Sequence, residues 1–216
     1  MSEAIKYGPS RLEQCIKHKL SNNWTLQGHS KAGERTCFYL EPLKICLDAG
    51  LGTYRGVKAI FISHTHSDHS SEWTHILQRK RKSDNEQKNK DCRPVYYPAT
   101  AEKPLLSFYY ATQRLGGYDK AAMDFDISYL HDRMINPTKV NVGDRFMVPG
   151  LDNIMVEILP AHHSVESIGY GFISVKKKLK PEYLEIAKSK KKEDRDKFME
   201  LVNDSFEIPV YKRKKI

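Results

Sequence analysis

The segment Val57-Lys-Ala-Ile-Phe-Ile-Ser-His-Thr-His-Ser-Asp-His69 decides how the rest of this chain is interpreted. Residues 57–63 form a nearly continuous apolar run that ends in a serine, the pattern of a buried strand. The strand leads directly into three imidazoles and one carboxylate at 64–69. Neutral imidazole and carboxylate are good zinc ligands. The segment therefore predicts a metal site at the end of a buried strand.

Within this segment, the spacing divides the candidate ligands into two pairs. His64 and His66 are two residues apart, so in extended chain both rings point the same way and can bind one ion. Asp68 and His69 follow on the next turn and point to a different position from that of His64 and His66, which suits a second ion. The alternative is a polar loop with coincidental histidines. It is disfavoured because the whole chain has only nine histidines.

A second pair of histidines, His162 and His163, follows a predicted strand over 154–159. Loops at strand ends often carry function, so one of the pair is expected to complete a three-histidine site. The remaining histidines have no ligand partners nearby in sequence or lie on a predicted helix, and they are interpreted as structural: His18, His29, His75 and His131.

Hydrophobic patterning along the chain predicts an α/β fold. Strands dominate and helices are interspersed, which favours layers built on mixed sheets. Residues 79–93 are polar and are expected to form a solvated linker, and Thr100 is a candidate cap for the second helix. The predicted strands are 36–41, 44–48, 57–63, 95–97, 142–148, 154–159 and 168–175, and the predicted helices are 70–79 and 101–115.

Composition limits the class of protein and its expected location. Hydrophobic residues make up 39% and charged residues 29%, a globular profile. No apolar run reaches the ~20 residues of a membrane helix, and Met1–Ser10 has no signal pattern. We therefore expect no membrane partner and a cytoplasmic location, with the nucleus as the alternative because of Lys212-Arg-Lys-Lys215. The four cysteines form no Cys-x-x-Cys pair and are expected to be reduced.

The net charge of +9 is concentrated near the C-terminus. Residues 176–216 hold 12 Lys and 2 Arg against 8 Asp plus Glu, a net of +6. Clustered lysines favour a polyanion partner. The change in character at Lys176 predicts three regions: a domain at 1–175, a basic helical arm-like insertion at 176–208 and a basic tail at 209–216.

Several of these segments resemble the metallo-β-lactamase superfamily and, within it, the short form of tRNase Z (ribonuclease Z), above all the plant-type short enzymes. Residues 28–36 and 47–50 resemble the opening strands of that family, and 60–69 its central motif. Residues 161–170 resemble its third motif, and 177–180 a lysine-rich segment. The resemblance spans roughly residues 24–210. It implies an αββα sandwich of mixed sheets whose C-terminal part is missing from this sequence.

The resemblance also implies roles for individual residues. His64, His66 and His163 would hold a first zinc ion, and Asp68 and His69 would help to hold a second. Asp68 would also orient or deprotonate the attacking water. The implied activity is that of a zinc-dependent endoribonuclease, which removes 3′ trailers from precursor tRNA by attack of a metal-bound hydroxide on a phosphodiester.

Further implied features lie outside the ligand set. Asp48 would buttress the ligands. Residues 176–208 correspond to an arm that grips the tRNA body, so Lys176, Lys177, Lys178 and Lys180 are expected to bind RNA. The alternative for this region is a solvated helical insertion. The resemblance also implies a homodimer.

This sequence departs from the family pattern in the ligands that the family has downstream of His163. The family has a bridging aspartate and a further histidine downstream, and no histidine follows His163 here. We therefore expect one zinc to bind well and a second to bind poorly. Three explanations stay open: a truncated or split gene product, a complementing C-terminal chain, or a decayed copy. The alternatives in function are a catalytically impaired or non-catalytic RNA-binding remnant and another hydrolase of the same fold.

Overall fold

The computed structural model describes residues 15–20, 23–52, 56–78, 93–115, 135–151 and 153–175, together with the backbone of two short strands at 178–179 and 206–207. The chain divides into two compact units. The first comprises 1–144 with 158–171, and the second comprises 145–157 with 172–216. In the described part of the chain, no helix is long and apolar enough to cross a membrane.

A seven-stranded mixed sheet forms the framework of the first unit. Its strands lie in chain order from β1 to β7. The pairings from β1 to β4 are antiparallel, and those from β4 to β7 are parallel. The strands are β1 (Ile16–Lys19), β2 (Thr25–Lys31), β3 (Arg35–Glu41), β4 (Ile45–Leu47), β5 (Ala59–Phe61), β6 (Arg93–Pro98) and β7 (Ile135–Val140).

The described helices belong to the same unit. Helix α1 (Ser67–Ser70) follows β5 after a short connection, and α2 (Trp73–Gln78) comes directly after it. Helix α3 (Glu102–Leu115) follows β6 through a short 3-10 helix, Ala99–Ala101. The chain thus crosses from β5 to β6 and from β6 to β7 with helical segments in between, as parallel strand pairs require.

Alternation along the central strands separates the two faces of the sheet. On one face of the sheet, side chains such as Ile60, Ile62 and Val95 belong to a single core cluster. This cluster also contains Trp73 of α2 and Tyr109 of α3. Because successive strand residues point to opposite faces, the residues between them face the other way. Helices α2 and α3 therefore pack on one face of the sheet.

The remaining strands form two smaller sheets. One has the order β10-β9-β8, and β8 pairs with β9 antiparallel. In the second unit, an Arg145–Glu157 ion pair of 2.8 Å joins β8 to β9. These strands are β8 (Arg145–Met147), β9 (Ile154–Ala161), β10 (Ser167–Ser174), and the antiparallel pair β11 (Lys178–Leu179) and β12 (Phe206–Glu207).

The α/β class and the mixed sheet confirm the sequence prediction. The predicted strands are all present, although β5, expected at 57–63, and β8, expected at 142–148, are each only three residues long. Gly143 has φ +95° and Asp144 accepts from the Asn141 amide, so the chain turns there and the strand begins only at Arg145.

Two local predictions were wrong. The helix expected at 70–79 is two helices, because the amide of Glu72 donates to Ala49 O (2.7 Å) rather than to a helical carbonyl. Thr100 does not cap α3. It lies within the 3-10 helix, and its hydroxyl donates to the Glu166 carboxylate.

Candidate metal centre

The candidate site lies at the carboxyl ends of β4 and β5. These strands are parallel neighbours, so the residues that follow them emerge at the same sheet edge. Asp48 follows β4, and Ser63 and His64 follow β5. Crevices at this edge of a parallel sheet are where α/β proteins place ligands.

Three histidines meet at this edge. Their ring centroids are 4.9 Å apart for His64–His66, 4.4 Å for His64–His163 and 4.8 Å for His66–His163. One nitrogen from each ring lies within 4.8 Å of the other two. Among the described residues this is the one group of three or more potential ligands. His163 comes from the connection between β9 and β10, and its neighbour His162 is exposed and outside the group.

The hydrogen bonds of His64 leave one ring nitrogen aimed at the cluster without a partner. Its Nδ1 lies 2.9 Å from Ser63 Oγ, and that hydroxyl donates in turn to Asp48 Oδ2 (3.1 Å). Nδ1 therefore carries the proton, and the buried Nε2 has no hydrogen-bond partner in the part of the chain that the structure describes. Buried polar atoms are normally satisfied, so this nitrogen fits a metal ion, and the donor set fits zinc or a similar cation.

The protonation state of His64 also suits a ligand. Burial lowers its pKa to about 4, and the nearby His69 and the other two cluster histidines act in the same direction. The ring is therefore neutral near pH 7, the form that binds metal.

Asp68 and His69 lie beside the three-histidine cluster. Their side chains face each other, with His69 Nε2 3.4 Å from Asp68 Oδ2. The amide of Gly33, in the turn between β2 and β3, donates to the same Asp68 oxygen (3.1 Å). The rings of His64 and His69 are 4.0 Å apart, so these two residues are placed to serve a second position next to the first.

Asp48 connects the two groups of ligands. Its carboxylate accepts from the Ser63 amide (2.7 Å), from the Ser63 hydroxyl and from His69 Nδ1 (2.8 Å). The bond to Asp48 raises the pKa of His69 and leaves its Nε2 facing Asp68. Carboxylates that orient metal-binding imidazoles in this way increase their basicity and fix their tautomer.

The backbone around Asp48 is tightly constrained. The amide of Asp48 donates to Phe61 O (2.8 Å), that of Ala49 to His69 O (2.6 Å) and that of Gly50 to Thr36 O (2.9 Å). A Cβ on Gly50 would lie 1.7 Å from the carbonyl oxygen of Asp68. Glycine is therefore required at this position, because the loop packs directly against the ligand helix α1.

An open cleft of about 480 Å³ lies over these side chains. One wall comes from the ligand segment and the other from the β2–β3 hairpin. Sequence reasoning used residues 28–36 only as a motif and missed this second wall. Its members are small or polar and carry no metal-ligand signature. The lining residues are Ser30, Ala32, Gly33, Thr36, His66, Ser67, Asp68, His69 and His163.

The other predicted residues lie elsewhere. His18 and His29 are on β1 and β2, and His75 on α2 contacts Glu72 (3.2 Å). His131 lies outside the described residues, as do Lys176, Lys177 and Lys180 of the expected RNA-binding group. Lys178 begins β11, and only its backbone is described.

The chain thus combines a mixed-sheet α/β fold with a His-x-His-x-Asp-His segment that leads from the end of a parallel strand into a helix. No family model matches the chain. The chain is similar to tRNase Z TRZ1 of Arabidopsis thaliana, with 24% identity over 165 residues, which is 74% of this chain and 51% of that protein. The chain thus spans about half the length of the curated relative it matches.

Two solved structures show a loose likeness. The short form of human tRNase Z has a TM-score of 0.38 and 14% identity, and the match covers 69% of this chain and 58% of that one. The metallo-β-lactamase fold protein YhfI from Bacillus subtilis has a TM-score of 0.37 and 12% identity, with 71% and 53% covered. At these TM-scores no function follows from the structural likeness.

Proposed function

We propose that the chain is a zinc-dependent endoribonuclease of the tRNase Z type, which removes 3′ trailers from precursor tRNA. The observation that carries the proposal is the three-histidine cluster with Asp68 and His69 in the same open cleft. The similarity to the plant tRNase Z supports the choice of substrate. The basic segment after Val175 supports a nucleic-acid partner, because lysines neutralise phosphates.

In this proposal, His64, His66 and His163 hold the first zinc ion. Three protein ligands are what a typical catalytic zinc site provides, with a further position open to water or substrate. Bound zinc would supply Lewis-acid stabilisation of phosphoryl oxygens and would lower the pKa of bound water to about 7.

The carboxylate of Asp68 is the candidate general base. It lines the cleft, and the Gly33 amide, which donates to Oδ2, fixes its direction. One carboxylate oxygen accepts from this amide, so the other is available to orient the attacking water and accept its proton. His69, held through Nδ1 by Asp48, presents Nε2 to the second ion position. Of the described residues, only Asp68 and His69 are proposed there, so we expect a first ion to bind tightly and a second weakly.

The test measures zinc content by elemental analysis and cleavage of a precursor tRNA with a 3′ trailer. The proposal expects products with a 3′-hydroxyl on the tRNA and a 5′-phosphate on the trailer. His163→Ala is expected to lose tight zinc binding and cleavage. His162→Ala is the matched control, because it removes the adjacent exposed imidazole outside the cluster and is expected to keep both. Tight zinc binding by His163→Ala would contradict the ligand assignment.

A second candidate is a non-catalytic RNA-binding protein that keeps the fold. It is favoured by the net charge of +6 over residues 176–216, which suits a polyanion partner whether or not the chain cleaves it. Asp68→Ala separates the two functions. A nuclease loses cleavage in this variant and still binds precursor tRNA. A non-catalytic binding protein binds precursor tRNA with the same affinity as wild type and as Asp68→Ala, and neither form cleaves it.

A further inference from the structure

The loop that carries His163 is joined to the sheet by contacts of β10. The amide of Ile168 donates to Ser63 O (3.0 Å). The hydroxyl of Tyr170 donates to Ile62 O (2.7 Å) and lies 3.2 Å from Tyr96 O. These contacts link β10 to the middle of β6 and to the residues that follow β5, immediately before the chain reaches His64.

Tyr170 is itself held in place by aromatic packing. Its ring meets Phe61 edge-on with centroids 5.1 Å apart, and Phe61 stacks on Tyr96 at 4.8 Å. Burial, with a smaller effect from the Asp48 charge, raises the pKa of Tyr170 well above its usual range. The phenol therefore stays protonated and acts as a hydrogen-bond donor.

The acceptor of the shorter bond is the backbone carbonyl of a fully buried residue. Ile62 is 0% exposed, and its amide already donates to Tyr96 O (2.8 Å). Its carbonyl lies just beyond β5 (Ala59–Phe61), two residues before His64. Loss of the Tyr170 hydroxyl removes a donor from this carbonyl, and leaving a buried acceptor without a partner is unfavourable.

We propose that Tyr170 is a positioning residue of the metal centre: its hydroxyl ties β10 to the end of β5 so that His163 meets His64 and His66. The inference rests on the metal site of the proposed function and adds to it a residue that does not touch the ion. Tyr170 acts on both sides of the cluster, since Ile62 precedes His64 closely and Tyr170 follows His163 on the same β-hairpin.

The test is a double-mutant cycle in zinc affinity, measured by competition with chromophoric chelators. Tyr170→Phe keeps the ring that packs on Phe61 and removes only the hydroxyl. We expect zinc to bind about 10-fold more weakly, as is typical when a group that supports metal ligands is lost. In a His163→Ala background the same change is expected to have a smaller effect on zinc affinity, because only the contact on the His64 side is left to lose.

Tyr97→Phe is the matched control. Its hydroxyl is buried and has no hydrogen-bond partner among the described residues, and its ring lies in the core on the helix-covered face of the sheet. Zinc affinity is expected to be unchanged. The spectrum of the Co²⁺-substituted chain gives a second readout, with a change in ligand field expected in Tyr170→Phe alone.

Each outcome has a distinct meaning. Equal zinc affinity in Tyr170→Phe and wild type would overturn the inference and leave the proposed function intact. An equal loss in the wild-type and His163→Ala backgrounds would also overturn it, since the effect would not act through that ligand. Failure of the wild-type chain to bind zinc would overturn both the inference and the proposed function.

Discussion

Asp48 is the residue whose side chain reaches both groups of ligands. It bonds His69 directly and His64 through the Ser63 hydroxyl. Its backbone has φ +60°, a conformation that aspartate tolerates better than most residues. The sequence placed Asp48 near the site only through a family resemblance, because a bond that runs through a serine hydroxyl leaves no pattern in spacing.

Asp48→Ala is expected to weaken zinc binding by about 10–100-fold, the usual effect of losing a carboxylate that orients ligands. The change also leaves the Ser63 amide and the His69 Nδ1–H without their acceptor. Asp144→Ala is the control: its carboxylate also accepts from a backbone amide, that of Asn141, and Asp144 is not one of the residues that line the cleft. Calorimetric zinc titration should separate the two, and equal affinities would argue against the role of Asp48.

Gly50 is a second position where a single atom matters. A methyl group there would lie 1.7 Å from Asp68 O and 2.9 Å from Thr36 N. Gly50→Ala is therefore expected to lower the free energy of unfolding by about 1–3 kcal/mol, as overpacking does, and to weaken metal binding by displacing α1. Gly169→Ala, whose new Cβ would have its nearest contact at 3.5 Å, is expected to be tolerated. Urea unfolding of both variants checks the difference.

Elements were predictable where one local pattern dominated. The apolar run before His64 predicted β5, and the helical stretch over 101–115 predicted α3. Edge strand β7 was missed because Pro137 interrupts it, which is tolerated only at a sheet edge or bulge. The break between α1 and α2 depends on a hydrogen bond from the Glu72 amide to Ala49 O, which lies in a loop distant in sequence. No local window of sequence contains that bond.

The packing of α2 and α3 on the sheet gives a prediction at this scale. Trp73 is 1% exposed and lies 5.5 Å from the Tyr109 ring. Trp73→Ala is expected to reduce the free energy of unfolding by about 3–5 kcal/mol, the range for large aromatic truncations in cores. Phe108→Ala on α3, where the side chain is 40% exposed, is expected to cost much less. Similar denaturation midpoints for the two variants would show that this core is not as described.

Across the whole molecule, three segments distant in sequence build the site. The β2–β3 hairpin, the segment from Asp48 to His69 and the loop after β9 all contribute. The sequence supplied five candidate ligands and the structure brings His64, His66 and His163 together. The hairpin wall could not be predicted, because small residues in a turn acquire their role only from the element they face.

Charge distribution gives the prediction for RNA binding. Replacing Lys176 and Lys177 by alanine is expected to weaken tRNA binding. The slope of log affinity against log salt concentration should also become less steep, by about 0.7–0.9 for each phosphate that the variant no longer neutralises. The control replaces Lys17 and Lys19, two exposed lysines on β1, which removes the same charge from another place. Filter binding at several salt concentrations distinguishes them. Equal effects would indicate a diffuse attraction to net charge.

Backbone hydrogen bonds join the loop at 48–50 to β3, to the end of β5 and to α1, in addition to the bonds of the Asp48 carboxylate. These bonds are between protein groups, so the framework that holds the ligands rests on protein contacts. Small zinc domains behave differently, because they unfold when their metal is removed. A chelator should accordingly remove the zinc without unfolding the protein. Zinc should rebind rapidly, with no refolding phase in circular dichroism.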